Sequence, residues 1–404
     1  MITEIMGQAL ALGSLTIVGL LFNKVFKLEL TLACLLIGFV AGLSLGFIDF
    51  DTGIRAYNLQ EIVFFIILPV LIFDAAWHLK PTILKVWIVP ILLLATLGVL
   101  ISAFVTAGLT YLGIGHPQGF PWMAALLTGA ILAATDPIAV MSQLRASNAP
   151  QGLATLFEGE SLFNDASSVV MFTIIVAIIT QAGQSNESSY LSFFAMVFIG
   201  GMAFGLISGL ITSAITLLIG SSNASRFILV FSAFASFYVA EHVFHVSGIM
   251  AVMMAAITTR FSLEKVEDTV AKGISETWEW LGLFLNNLLF VVMGLVVTLA
   301  MFRDQWLAMI IAIIATLIAR IIAVKSVSTV SQWVGKPVPR AWQILLIWGG
   351  LRGAIAIALV LSLPTSLPYW WTIQSMVFGV VIFSLLVQGS SNKYLLAKLS
   401  VKQD

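Results

Sequence analysis

Apolar runs of about twenty residues follow one another from residue 6 to residue 390, and nothing else in the chain limits its fold so strongly. Wound as an α-helix, about twenty residues reach across about 30 Å of hydrocarbon, and only the ninth run falls well short of that. They lie near 6–23, 29–48, 60–79, 84–113, 121–142, 160–182, 190–219, 226–244, 246–260, 278–302, 305–325, 341–363 and 370–390. The pattern predicts an all-α polytopic membrane protein of thirteen helices forming a single membrane domain over residues 1–404. Only 9% of the residues are charged, against about 25% in a soluble domain, so water is not the solvent of most of this surface. Formal net charge is zero, which offers nothing to a nucleic acid. The single cysteine, Cys34, excludes an internal disulfide and reads as a small apolar filler. The first run carries Glu4 and no basic leader, and is expected to be a first span, not a removed signal peptide.

Loop charge gives an orientation. Fifteen of the nineteen Lys and Arg follow odd-numbered spans, from Lys24 and Lys27 to Lys393, Lys398 and Lys402. Only Arg55 and Arg303 fall on the other side, while Arg320 and Arg352 are left inside spans. The excess of positive charge on cytoplasmic loops then puts the N-terminus outside and the C-terminus in the cytoplasm. The longest charged stretch, Ser262–Glu279, is expected to be a short amphipathic helix at the cytoplasmic surface, with Trp278 and Trp280 near the interface.

Two spans are built to break. Ala134-Thr135-Asp136-Pro137 places a proline inside the fifth, which removes a backbone donor and frees carbonyls of the preceding turn. Trp348-Gly349-Gly350-Leu351-Arg352-Gly353 places three glycines around a cation in the twelfth. Counted from spans 1 and 8, each break falls in a fifth helix. Interruptions at matching places in two halves point to inverted repeats with a binding site at the midplane. Span 7 would then join two six-helix repeats. The bland alternative is a proline kink and an unrelated glycine packing face.

Ionisable groups inside these spans need a reason to be there, since a carboxylate at the bilayer centre costs roughly 2.5–3.5 kcal/mol on insertion scales. Asp165 opens the apolar run 166–179, beside Asn164, and Ser161 lies one helical turn earlier on the same face. A carboxylate with hydroxyl and amide oxygens suits a hard monovalent cation, and the same carboxylate takes a proton when desolvated. The alternative is a structural Asp bonded to a neighbouring helix. Asp136 is either an ion ligand beside Thr135 or a cap on a half-helix N-terminus. Glu160, at the entrance of span 6, is the natural partner of Arg320, because an unpaired arginine in span 11 would be expensive. Arg352 faces either the ends of the broken helices or Asp136. Asp74, near the cytoplasmic end of span 3, is a further oxygen ligand, an ion-gathering charge, or an interfacial residue reaching headgroup water. His242 and His245, three apart on one helix face, suit a metal less well than ordinary surface contacts.

The segments Ala134-Thr135-Asp136-Pro137-Ile138-Ala139-Val140, Glu160-Ser161-Leu162-Phe163-Asn164-Asp165-Ala166 and Gly349-Gly350-Leu351-Arg352-Gly353-Ala354 resemble the NhaP-type sodium/proton antiporters. These are bacterial and archaeal relatives of the mammalian sodium/proton exchangers, in the monovalent cation:proton antiporter family. The resemblance spans almost the whole chain and includes Phe73-Asp74-Ala75 and Ser247-Gly248-Ile249-Met250-Ala251. It implies an NhaA/NhaP-like fold of two inverted repeats with crossed, partly unwound helices. It implies Asp165 as the principal cation and proton carboxylate, with Ser161, Thr135, Asn164 and Asp136 in or beside the site. Asn164-Asp165, where other members have two aspartates, is the pattern associated with one-for-one exchange. Glu160 and Arg320 resemble the family's structural pair, and Arg352 its arginine in the unwound helix. Asp74 departs from a position that is often Glu. A homodimer surrounded by membrane lipid is implied, with a mobile core rocking against a dimer domain, and a long C-terminal regulatory tail is not expected.

The expected protein is therefore an inner-membrane antiporter, not an enzyme, exchanging Na⁺ or Li⁺ for H⁺. No cofactor is called for, and no metal beyond the transported cation. Its core would comprise approximately residues 84–182 and 305–390, and its dimer scaffold residues 1–80 and 190–302. A K⁺/H⁺ antiporter on the same scaffold is the nearest alternative. A passive cation channel would need repeated ligand rings. An intramembrane protease using Asp136 and Asp165 lacks the Gly-x-Gly-Asp setting of an aspartyl dyad.

Overall fold

The computed structural model describes residues 2–48, 62–79, 81–114, 120–180, 189–263 and 268–399. Of the loop charges used above, Arg55, Lys80, Lys265 and Lys402 lie outside these residues. Eight helices among them are long and apolar enough to cross a membrane, and four more are apolar but shorter. In chain order we number α1 Ile2–Phe26, α2 Leu30–Ile48, α3 Val63–His78, α4 Thr82–Gly113, α5 Trp122–Ala133, α6 Ile138–Ala146, α7 Gln151–Thr180 and α8 Ser189–Ile219. Then come α9 Ser222–His242, α10 Gly248–Ser262, α11 Asp268–Val296, α12 Leu299–Val334, α13 Arg340–Trp348, α14 Ala354–Leu361 and α15 Trp370–Lys398. α5 and α6 are the two halves of the span broken at Pro137, and α13 and α14 those of the span broken by the glycines.

The helices fall into two packed groups. α4, α5, α7, α12 and α15 pack on one another, as do α2, α3, α8, α9, α10 and α11. Without a hydrophobic drive between helices in lipid, close approach depends on small residues. Gly201, Gly205 and Gly209 repeat every four residues along α8 and lie against carbonyls of Ser247, Ala251 and Ala255; a Cβ on Gly205 would sit 2.3 Å from the Ala251 oxygen. Gly38 of α2 and Gly294 of α11 meet in the same way: a Cβ on Gly38 would lie 2.2 Å from the Val291 oxygen, and one on Gly294 2.3 Å from the Leu35 oxygen. The outward faces carry Ile199, Leu206, Leu210, Phe227 and Ile314, exposed apolar residues that suit acyl chains.

Three expectations change. α7 begins at Gln151, nine residues before the predicted span, so Glu160 lies well inside a thirty-residue helix and not at its entrance. Gln151, Thr155 and Glu158 lowered the local hydropathy and hid these turns. The charged stretch Ser262–Glu279 does not form a separate surface helix: its residues from Asp268 onward are the first turns of α11. Trp278 is fully buried and stacks on Phe73 with ring centroids 4.2 Å apart, while Trp280 is exposed. His242 and His245 do not share a helix face, because α9 ends at His242 and His245 adopts φ 53° in the turn beyond. No cluster of three potential metal ligands occurs among the described residues.

Candidate ion-binding site

The two broken spans cross at their breaks. Residues 134–137 and 349–353 are non-helical, and the Asp136 amide donates to the Leu351 carbonyl at 2.8 Å. Each break exposes the orphan groups of helix ends, and the crossing satisfies several of them. Asp136 Oδ1 accepts from Ile138 N, the first amide of α6, at 2.9 Å, and Oδ2 accepts from Ala354 N, the first amide of α14, at 3.3 Å. One carboxylate thus caps two half-helix N-termini, where a negative charge is favoured. Arg352 performs the converse service. Its Nη1 donates to the Ala133 and Ala134 carbonyls, both at 2.9 Å, at the C-terminal end of α5. Between the readings left open for Arg352, the geometry selects the broken helix ends. Gly353 makes the crossing sterically possible, since a Cβ there would lie 2.0 Å from Asp136 Oδ2.

Beside the crossing runs α7. Ser161 Oγ donates to the Thr135 carbonyl, and Asn164 Nδ2 donates to Thr135 Oγ1 at 2.7 Å while its Oδ1 accepts from Thr135 N at 3.3 Å. Asn164 therefore clamps the unwound residue to α7. One turn from Ser161, Asp165 Oδ1 is buried with no hydrogen-bond partner. Asp165 lines a cavity of about 300 Å³ together with Thr135, Asp136, Ser161 and Asp74. Five of the six residues expected at the site meet there, and Asn164 stands behind them.

Glu160 and Arg320 form a buried, two-pronged pair: Arg320 Nη1 donates to Glu160 Oε1, and Nη2 to Oε2 at 2.9 Å. Arg320 Nε also donates to the Leu346 carbonyl at 3.0 Å, tying α7 and α12 to α13 just before the second break. Neither residue lines the cavity.

The cavity also contains residues that the sequence did not single out. His78 Nδ1 lies 3.1 Å from Asp74 Oδ1 and 2.9 Å from the Asp74 carbonyl. Arg145 Nη2 lies 3.4 Å from Glu158 Oε1. Glu279 and Asn286 of α11 contribute to the same wall. With the Arg145 side chain 60% exposed, the cavity reaches from the surface to Asp165. The signal for His78 was available as its i+4 spacing from Asp74. For Glu158 it was hidden by the late start assigned to the helix. Away from the cavity, Glu241 Oε2 accepts from Gly248 N at 2.8 Å and caps α10.

The family model for the transmembrane sodium/hydrogen exchanger matches residues 12–398. This chain belongs to the sodium/hydrogen exchanger family. Among its relatives, the Na(+)/H(+) antiporter ApNhaP of Aphanothece halophytica is 34% identical over 369 residues, covering 90% of this chain and 69% of that protein. The Na(+)/H(+) antiporter NhaP of Pseudomonas aeruginosa is also 34% identical, over 87% of this chain and 85% of its own length. The solved sodium proton antiporter MjNhaP1 of Methanocaldococcus jannaschii shares the fold, with a TM-score of 0.83 over 98% of this chain and 99% of that one, at 21% identity. An all-helical exchanger fold with two crossed, interrupted spans is therefore the architecture of this family member.

Proposed function

We propose that this exchanger moves Na⁺ or Li⁺ against H⁺ across a bacterial inner membrane, with cation and proton competing for Asp165. The observation that carries this reading is the buried Asp165 carboxylate, which has an unpartnered oxygen in a cavity shared with Ser161 and Thr135. The charge of a carboxylate buried there is neutralised either by a bound cation or by protonation, and the two exclude each other. Names of relatives as Na(+)/H(+) antiporters support the same pair of substrates. Ser161 and Asp74 are the further cation oxygens in this reading. Asp136 lies beside them and holds the crossing together, and Thr135 is positioned by Asn164.

Translocation is by alternating access. The group built on α4–α7 and α12–α15 is the moving core, approximately residues 84–182 and 305–390. The remaining helices, approximately residues 1–80 and 190–302, form the scaffold and the homodimer contact within the lipid. The N-terminus lies outside and the C-terminus in the cytoplasm, in keeping with the loop charges. Exchange is one for one, because Asn164 replaces a second carboxylate beside Asp165, and the physiological role is pH homeostasis.

The test is collapse of a pH gradient in proteoliposomes on adding Na⁺, Li⁺ or K⁺, comparing the wild type with Asp165→Asn. Cation-dependent proton efflux that vanishes in the variant supports the reading, and the order of the ions decides between Na⁺ and K⁺. Full activity in the variant, or cation flux without proton movement, refutes it.

A further inference from the structure

One wall of the cavity has been given no role so far. On α11, Glu279, Gly282, Leu283 and Asn286 line the cavity at helical spacing. Gly282 leaves the space that the Asp74 carboxylate fills, since a Cβ there would lie 2.2 Å from Asp74 Oδ2. One turn farther along the helix is Asn286. It is only 1% exposed, and its Oδ1 is buried with no hydrogen-bond partner. Buried amides in folded proteins are almost always hydrogen-bonded, and an exception calls for an explanation. Asn164, also in the membrane, meets that rule with two bonds to Thr135. Asn286 instead has an unpaired amide oxygen and lines the cavity in which Asp165 has its own unpaired oxygen.

We propose that Asn286 is a specificity-determining ligand of the transported cation, supplied by α11 while the carboxylate comes from α7. This rests on the antiport reading above and adds a residue to it. An amide oxygen replaces a water of hydration around a hard monovalent cation, as carbonyl oxygens do in ion filters. It has no affinity for a proton near neutral pH. Asn286 therefore acts on one of the two competing substrates, whereas Asp165 acts on both. Because α11 and α7 belong to different packed groups, the amide contributes only while the cavity has the form seen here. Its effect is therefore confined to cation binding from the side on which this cavity opens.

The test measures Na⁺, Li⁺ and K⁺ dependence of proton efflux for wild type, Asp165→Asn, Asn286→Ala and Asn286→Ser, at two pH values about one unit apart. The expected result is a rise of about fivefold or more in the Na⁺ KM of Asn286→Ala, the equivalent of one lost oxygen contact. Vmax should stay within about twofold, a span too small to signal a lost chemical step. The KM ratio of variant to wild type should be the same at both pH values, the Na⁺/Li⁺ preference should change, and Asn286→Ser should recover part of the loss. A structural role would lower Vmax without these shifts. Should Asn286→Ala not fold, the cation-induced thermal shift of Asn286→Ser against wild type gives the same comparison: an unchanged Na⁺ midpoint overturns the proposal. Wild-type KM and ion preference in Asn286→Ala overturn this assignment alone. Absence of cation-driven proton efflux in the wild type overturns the antiport reading beneath it.

Discussion

Replacing Glu160 with Gln removes the charge around which Arg320 is packed. Glu160 is 1% and Arg320 6% exposed, so no water can take over the guanidinium's two bonds to the carboxylate. In the wild type those bonds go to both carboxylate oxygens, and a third goes to the Leu346 carbonyl. The glutamine amide keeps the shape and loses the charge. Breaking a buried pair from one side costs about 3–5 kcal/mol, most of it the uncompensated charge left behind. Removing both charges together, as Glu160→Met with Arg320→Leu, should bring the cost back to within about 1 kcal/mol of wild type, since apolar replacement of buried pairs is often neutral. A double-mutant cycle in unfolding free energy, from SDS titration in mixed micelles followed by tryptophan fluorescence, reads the coupling directly. A single variant within about 1 kcal/mol of wild type would refute the claim that the pair is desolvated and mutually dependent. A double variant as unstable as either single variant would show that the packing of these side chains matters, and not their charge.

Gly353→Ala should abolish transport while leaving a folded protein weakened by about 1–3 kcal/mol, because the new methyl group overlaps Asp136 where both half-helices are capped; retained activity would refute the claim that transport needs this close crossing. Gly205→Leu should separate α8 from α10 and lower the thermal midpoint without changing the KM for Na⁺, which saturation curves on surviving protein can check. If the proton and the cation compete for Asp165 as proposed, the apparent Na⁺ KM should rise by about tenfold per unit as pH falls below the titration of that carboxylate, with Vmax restored at saturating Na⁺. A pH-independent KM would rule out competition at a single group.

The helix breaks were legible because they are local chemistry: a proline at 137 and glycines at 349, 350 and 353 disrupt a helix wherever it is placed. The Glu160–Arg320 pair was legible by the cost of the alternative. Arg352 was not assignable, because its partners are main-chain carbonyls at 133 and 134, freed by a break more than two hundred residues away. No side-chain pattern announces a carbonyl. Glu158 lay in turns of α7 whose polar residues resembled a loop, and Trp278 was read as interfacial although Phe73 covers it. Asn286 carries no charge, and an amide in an apolar run is a faint signal until its missing hydrogen bonds can be seen. The glycine spacing of α8 was visible throughout, but what it packs against was not.

The charges at the crossing neutralise one another in a way that bears on stoichiometry. Arg320 is matched by Glu160, and the freed carbonyls of α5 and the freed amides of α6 and α14 are matched by Arg352 and Asp136. Beside them, Asp165 is a carboxylate whose buried Oδ1 meets no protein donor. If it alone exchanges its proton for a monovalent cation, the site carries the same total charge in both loaded forms. A membrane potential then does no net work on the cycle. Each uncompensated charge would feel about 2.3 kcal/mol per 100 mV, equivalent to a shift of about fiftyfold in the ion ratio at balance. The balance point in proteoliposomes, set with valinomycin and graded K⁺ gradients, should therefore stay fixed while the voltage changes. A shift of that size per 100 mV would require a second titrating group. Asp136 would be the first to consider, and its two caps would then have to open once in every cycle.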